Sequence, residues 1–267
     1  MHPFVILQYL LPHHLISRTV AILAKSRIRW MKNLIIRQFI RIYQVDLTEA
    51  RSGEIYAYES FNDFFTRKLQ PGCRTVSGTI CSPADGEISA VGHMSEDRLI
   101  QAKGITYSLQ QLLATDTVDD YIDGSFITIY LAPKDYHRVH FPLTAEISAS
   151  RYIPGRLFSV NAATTHSVNG LFTRNERLVC NLNNKVQPMV LVMVGAMIVA
   201  GIKPVWRTSA YPPGHLTEDQ WDQMTTCQQG SELGHFELGS TVILVLKNRV
   251  SWTVTTGDTV RMGQPLC

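Results

Sequence analysis

Apolar residues recur at helical spacing from Leu15 to Ile42 (LISRTVAILAKSRIRWMKNLIIRQFIRI), interleaved with cations and with Trp30 near the middle. Positions three and four apart share one helix face, so this stretch predicts amphipathic helix. Farther along, Ser60 stands three residues before Asp63, a helix-start signal, and Phe61, Phe64 and Phe65 form a stripe of the kind that packs into a core. From Ile80 the period shortens. GEISAVG, SFITIYLA, AEISASRYI, MVLVMVGAMIVAGI and STVILVLK are short apolar or alternating runs punctuated by Gly, Pro and Asp, which is the pattern of strands. The most apolar of these, Met189 to Gly201, is too short to span a bilayer and reads as a buried strand. The fold class predicted is α+β, with a helical N-terminal region over residues 1–69 and a β-rich domain over 70–267.

A chain of 267 residues can bury one substantial core with an appendage. Its net charge of +3 conceals an asymmetry, because residues 1–45 hold seven basic residues (Arg18, Lys25, Arg27, Arg29, Lys32, Arg37, Arg41) and no acidic one. A one-sign polar face suits an anionic lipid surface, where each cation contributes roughly 1 kcal/mol. The same pattern also fits a helical pair packed on the protein's own core with its cations in water. A nucleic-acid surface is disfavoured, since no recognition motif accompanies the charge. Five scattered cysteines without a CxxC pair predict reduced thiols and no structural zinc. The opening MHPFVILQYLLPHHLIS lacks the early positive charge and small-residue cleavage site of a secretory signal.

Candidate chemistry sits in three loops. In GHFELGSTVILVL, Gly239-Ser240-Thr241 reads either as a tight turn into a strand or as a serine able to attack its own backbone at the unshielded Gly239 carbonyl. Val242 occupies the place where a nucleophile elbow needs its second glycine, which disfavours a lipase-type hydrolase. In FITIYLAPKDYHRVHFPL, a turn between Pro133 and Pro142 carries Asp135, His137 and His140. The HExxH helix of a zinc site is absent there, and a polar turn with satisfied histidines is the alternative to catalysis. In CSPADGEIS, Asp85-Gly86 reads as a turn before a strand. Taken together, a carboxylate, a histidine and a serine from separate loops supply the orienter, base and nucleophile that a self-attacking serine requires.

With SFNDFFTR, SPADGEI, LAPKDYHRVHFP, PGRLFSVN, RNER, MVLVMVGAMIVAGI and GHFELGSTVILVL in this order, the chain resembles the pyruvoyl-dependent phosphatidylserine decarboxylases, made as self-cleaving precursors, over nearly everything after residue 55. The resemblance implies scission between Gly239 and Ser240 of the LGST motif, giving a large chain 1–239 and a small chain 240–267 that stay together as a heterodimer. It implies a self-cleavage triad of Asp85, His140 and Ser240, with His137 serving the decarboxylation. Ser240 would become the covalent pyruvoyl cofactor, with no metal involved. The implied reaction is phosphatidylserine to phosphatidylethanolamine and CO2 through a Schiff base with that group, in phospholipid biosynthesis. The implied place is the cytoplasmic side of the cell membrane, held peripherally on its anionic surface, with any higher oligomer left open. The tail TGDTVRMGQPL is similar to β-hairpin hybrid folds, which the family's catalytic core resembles.

Overall fold

The computed structural model describes residues 3–10, 13–102, 104–197, 201–237 and 240–267. Helices come first, as α1 (Pro3–Leu10), α2 (His13–Ala24), α3 (Arg29–Tyr43) and the short α4 (Phe61–Phe65). The Ser60 hydroxyl accepts from the Asp63 amide at 3.1 Å and caps α4, as the Ser/Asp spacing predicts. The strands follow as β1 (Gly86–His93), β2 (Arg98–Ala102), β3 (Ile105–Ser108), β4 (Ser125–Leu131), β5 (Arg138–His140) and β6 (Ala145–Ile153). Beyond them come β7 (Arg177–Asn183), β8 (Met189–Gly195), β9 (Ile202–Pro204), β10 (Thr217–Cys227), β11 (Glu232–Phe236), β12 (Ser240–Leu246) and β13 (Thr259–Val260).

Eight strands form one antiparallel sheet in the order β10-β6-β7-β8-β12-β4-β1-β13. A second sheet, β5-β11-β9, has three strands, and β2 and β3 pair on their own. Strand residues alternate between faces, so each strand of the large sheet divides its side chains between two cores. Val190, Val192, Val194, Ile243 and Val245 join Val5, Ala24, Ile36, Phe61, Phe64 and Phe65 on the helical side. Leu191, Met193, Val242, Leu244, Ile127 and Ile129 join Val139, Phe141, Leu233, Phe236 and Ile202, which belong to the small sheet or its flanks. The result is three layers: helices, large sheet and small sheet. Burial on both faces explains why β8 and β12 read as unbroken apolar runs.

Two sequence expectations change. The apolar run from Met189 is not one strand: β8 ends at Gly195 and the chain resumes as β9 in the other sheet, so the run crosses between layers. The histidine turn contains a strand of its own, β5, which pairs with β11. Regarding the helical region, neither reading excludes the other. Ile36 is fully buried and Phe39 meets the rings of Phe61, Phe64 and Phe65 at 5.1–6.1 Å, so α3 packs on the core. Its other side exposes Ile28, Trp30, Leu34 and Ile42, with Ile22 and Leu23 exposed on α2. Several of the cations are engaged: Lys25 pairs with Glu237 at 2.7 Å, Arg27 pairs with Glu59 at 2.7 Å, and Lys32 is buried. No described helix is long and apolar enough to cross a membrane.

Candidate active site

Ser240 is the first residue of β12, paired with Gly195 of β8 on one side and Leu131 of β4 on the other. Its side chain is completely buried, and its hydroxyl has no hydrogen-bond partner among the described residues. Burying a hydroxyl without a partner costs about 1–3 kcal/mol, so a strand position that a valine would fill more favourably holds a serine at a penalty. Gly239, the expected site of attack, lies outside the described residues. Leu131, the neighbour of Ser240, is the last residue of β4, and the chain passes from it directly into the Asp135–His140 segment. The sheet thus delivers the serine and the histidines to the same end of neighbouring strands.

The two histidines differ. His137 is wholly buried, with its ring 4.1 Å from that of Phe65. Its Nδ1 donates to the Asp135 carbonyl at 2.9 Å, which leaves Nε2 as a basic nitrogen with no partner among the described residues. Burial pushes its pKa down to about 3, so it is neutral near pH 7. His140 donates from Nδ1 to the Gly230 carbonyl at 2.8 Å, and its Nε2 accepts from the Tyr136 hydroxyl at 3.0 Å. Burial lowers its pKa as well, with the Gly230 bond and Glu232 opposing.

Asp85 does not bond to His140. Its carboxylate forms a two-pronged pair with Arg74, at 3.1 and 2.8 Å, and accepts the Met262 amide at 2.7 Å. Glu49 holds the same guanidinium at 2.8 Å. Two clefts share Arg74 and Tyr136. One also carries Asp85, Arg67 and Lys134, and the other carries His140, Gly230 and Glu232. Asp85 therefore reaches His140 only as a nearby charge. The resemblance would bring Asp85, His140 and Ser240 together; this structure puts no hydrogen bond between any two of them.

A serine set into a strand directly after a glycine, with a histidine-bearing loop leaving the adjacent strand, matches a known family over most of the chain. The model described as "Phosphatidylserine decarboxylase" matches residues 61–267, and a second, described as "PSD", matches residues 3–44. This chain belongs to the phosphatidylserine decarboxylase family. A relative from Pseudomonas fluorescens Pf-5, named phosphatidylserine decarboxylase proenzyme, is 46% identical over 98% of this chain and 96% of its own length. Relatives of the same name from Ectopseudomonas mendocina ymp and Stutzerimonas stutzeri A1501 are 46% and 45% identical, across 98% of this chain and 96% and 93% of theirs.

Within this family member, sequence reasoning missed Arg74, Tyr136 and Glu176. Tyr136 stands inside the KDYHRVH segment and Glu176 inside RNER, so both lay within quoted motifs, while nothing in the local sequence marks Arg74. Glu176 is 3% exposed, receives the Tyr152 hydroxyl at 2.9 Å on Oε2, and has an unpartnered Oε1. Among the described residues no cluster of three or more His, Cys, Asp or Glu side chains could hold a metal ion.

Proposed function

We propose that this chain is a precursor that cuts itself between Gly239 and Ser240, and that the matured protein converts phosphatidylserine to phosphatidylethanolamine and CO2 at an anionic membrane surface. The observation that carries the proposal is the buried, unpartnered hydroxyl of Ser240 at the head of β12. In the precursor a histidine takes the Ser240 proton while Oγ bonds to the Gly239 carbonyl carbon and the peptide C–N bond breaks, leaving an ester and a free amine on residue 240. Removal of the Cα proton of residue 240 then breaks Cβ–Oγ and releases the Gly239 carboxylate. Water displaces ammonia from the resulting enamine, and the new N-terminus of the small chain is a pyruvoyl group. That group supplies the electrophilic carbonyl, and hence the electron sink, that amino-acid decarboxylation requires and that no ordinary side chain provides.

The strand position suits that derivative of Ser240. Residue 240 is held by strand pairing on both sides and screened from water, and it carries a polar atom that makes no hydrogen bond among the described residues. Following the family resemblance, His140 with Asp85 serves scission and His137 serves turnover. His140 would exchange the Tyr136 hydroxyl for that of Ser240, with Asp85 acting through its charge from beside Arg74. His137 begins turnover as a neutral base, so its Nε2 accepts a proton before it returns one to the product carbon.

A specific observation favours the reverse division: of the two histidines, His137 has the free Nε2 and His140 has its own engaged by Tyr136. One denaturing gel and one CO2 assay decide. If the first division holds, His140→Ala accumulates the uncut chain, whereas His137→Ala is cut and turns over more slowly by on the order of 10² to 10⁴. An uncut His137→Ala beside a normally matured His140→Ala establishes the reverse. Maturation and full activity in both variants would refute a role for either histidine.

At the membrane, exposed Ile22, Leu23, Ile28, Trp30, Leu34 and Ile42 supply apolar contact, and Arg29 and Arg41 lie on the same helix as Trp30, Leu34 and Ile42. After scission the large and small chains stay joined, because β12 belongs to the small chain and is hydrogen-bonded along both edges to strands of the large one.

A further inference from the structure

Glu176 has no part in the chemistry set out above, yet it is placed beside it. The residue precedes β7, and its carbonyl accepts the Gly195 amide at 2.9 Å, so Glu176, Gly195, Ser240 and Leu131 form one row across adjoining strands of the large sheet. Directly opposed residues in antiparallel strands present their side chains to the same face, with Cβ atoms about 4.5–5.5 Å apart. Gly195 has no side chain to fill its place in the row. A Cβ built there would lie 2.9 Å from Glu176 Cγ and 3.0 Å from Oε1, so the carboxyl leans over the glycine on the face where the Ser240 side chain stands. Both side chains are buried, and both Oε1 and the serine Oγ lack hydrogen-bond partners among the described residues. Two polar atoms without partners among the described residues thus stand in one row, with the Glu176 carboxyl lying over the position that a glycine leaves without a side chain.

We propose that Glu176 is the acid–base residue that meets the amine of the substrate at position 240. The inference rests on the reading that Ser240 becomes an electrophilic carbonyl. An amine arriving as ammonium has no lone pair with which to attack; ionised Glu176 takes one proton onto Oε1, leaving a neutral amine and a neutral carboxyl, and gives the proton back when the product amine departs. The environment supports a group that changes charge in the working range. Burial pushes the Glu176 pKa up to about 7, and the Tyr152 hydroxyl bonded to Oε2 opposes the rise. Tyr152 is the titratable group that faces it. Tyr211 stacks behind Tyr152 at 4.8 Å and bonds to Asp219, while the guanidinium of neighbouring Arg177 is turned to the carbonyls of Gln111, Leu112, Thr173 and Asn175.

The test uses purified full-length protein, wild type, Glu176→Gln and Tyr152→Phe, each checked by intact mass for the small chain. Reduction with borohydride in the presence of phosphatidylethanolamine vesicles captures amine bound at position 240, and phenylhydrazine, which needs no deprotonation, counts the reactive carbonyls. Glu176→Gln is expected to show wild-type cleavage and hydrazine labelling, with amine capture at pH 7 reduced at least tenfold and, in place of the wild-type midpoint, a steady rise with pH that follows the free amine in solution. Tyr152→Phe removes the bond that favours the carboxylate, so the midpoint of amine capture should move to higher pH. Wild-type capture by Glu176→Gln, or an unmoved midpoint in Tyr152→Phe, overturns the proposal. So does an uncut Glu176→Gln, which would place the carboxyl in precursor chemistry instead. If Glu176→Gln fails to fold, the Tyr152→Phe midpoint decides alone. Wild-type protein without a hydrazine-reactive small chain would defeat the pyruvoyl reading itself, an outcome separate from these.

Discussion

Strand β12 and the apolar face of helix α3 meet the same core from opposite sides, Ile243 and Val245 from the sheet and Ile36 from the helix. They differ in what surrounds the remainder of each element. Every residue of β12 is buried, whereas α3 leaves Trp30 71% and Leu34 52% exposed beside its arginines. The strand holds residue 240, where scission is proposed, between two neighbouring strands and away from water. The helix is half covered, and its exposed side is the one proposed above to meet a membrane. Burial on both faces encloses the strand, and burial on one face leaves the helix half exposed.

The largest effect that tests this contrast is Ser240→Ala, which should abolish scission completely while leaving the fold intact, as a denaturing gel and a thermal melt would show. Any small chain from that variant would break the assignment. Next in size is a matched pair of truncations. Leu244→Ala in β12 should lose about 2–5 kcal/mol in denaturant unfolding, and Leu34→Ala on the open side of α3 should stay within about 0.5 kcal/mol. Equal losses would mean that α3 is enclosed too. Replacing Arg29 and Arg41 together by Gln should weaken sedimentation with anionic vesicles by on the order of 30-fold, at roughly 1 kcal/mol per cation, and leave scission unchanged. Unaltered binding, or equal binding to neutral vesicles, would remove the membrane from the account.

The smallest expected effect concerns acid. His137 has a folded pKa of about 3, below its unfolded value near 6.5, so the unfolded chain binds the extra proton and stability falls as pH drops below about 6.5. Glu176, raised from 4.5 to about 7, acts in the opposite sense: its contribution is fully present below about 4.5 and is lost as pH rises through 7. Between about pH 4.5 and 6.5 the two offset one another. Glu176→Gln should therefore reveal a fall in melting temperature on acidification that is steeper than in wild type, by up to about 1.4 kcal/mol per pH unit. A parallel pH profile in the variant would show that one of the two groups is not buried in its uncharged form.

Much of this was legible because period reports burial. The core strands β1, β4, β6, β8 and β12 are apolar or alternating and were visible, as was the capped start of α4. Strand β10 (TEDQWDQMTTC) was not, since an edge strand paired only with β6 can be polar throughout and carries no hydrophobic signal. The break of the Met189 run after Gly195 was hidden because the sequence stays apolar through Ala196 and Met197, so hydropathy does not mark where the strand ends. Among candidate site residues, Ser240, His137, His140 and Asp85 were nameable from motif and chemistry. Their partners were not: the Arg74 clamp on Asp85, the Tyr136 hydroxyl on His140 and the lean of Glu176 over Gly195 join residues far apart in the chain or turn on where a side chain points.

The central claim is that this chain converts Ser240 into its own cofactor, and the intact mass of the purified protein under denaturing conditions tests it most directly. The account predicts two species, residues 1–239 and a small chain 240–267 that is blocked at its N-terminus and carries a ketone where serine had an amine and a hydroxyl. A single uncut chain in fully folded protein, or a small chain with a free N-terminal serine, would contradict it.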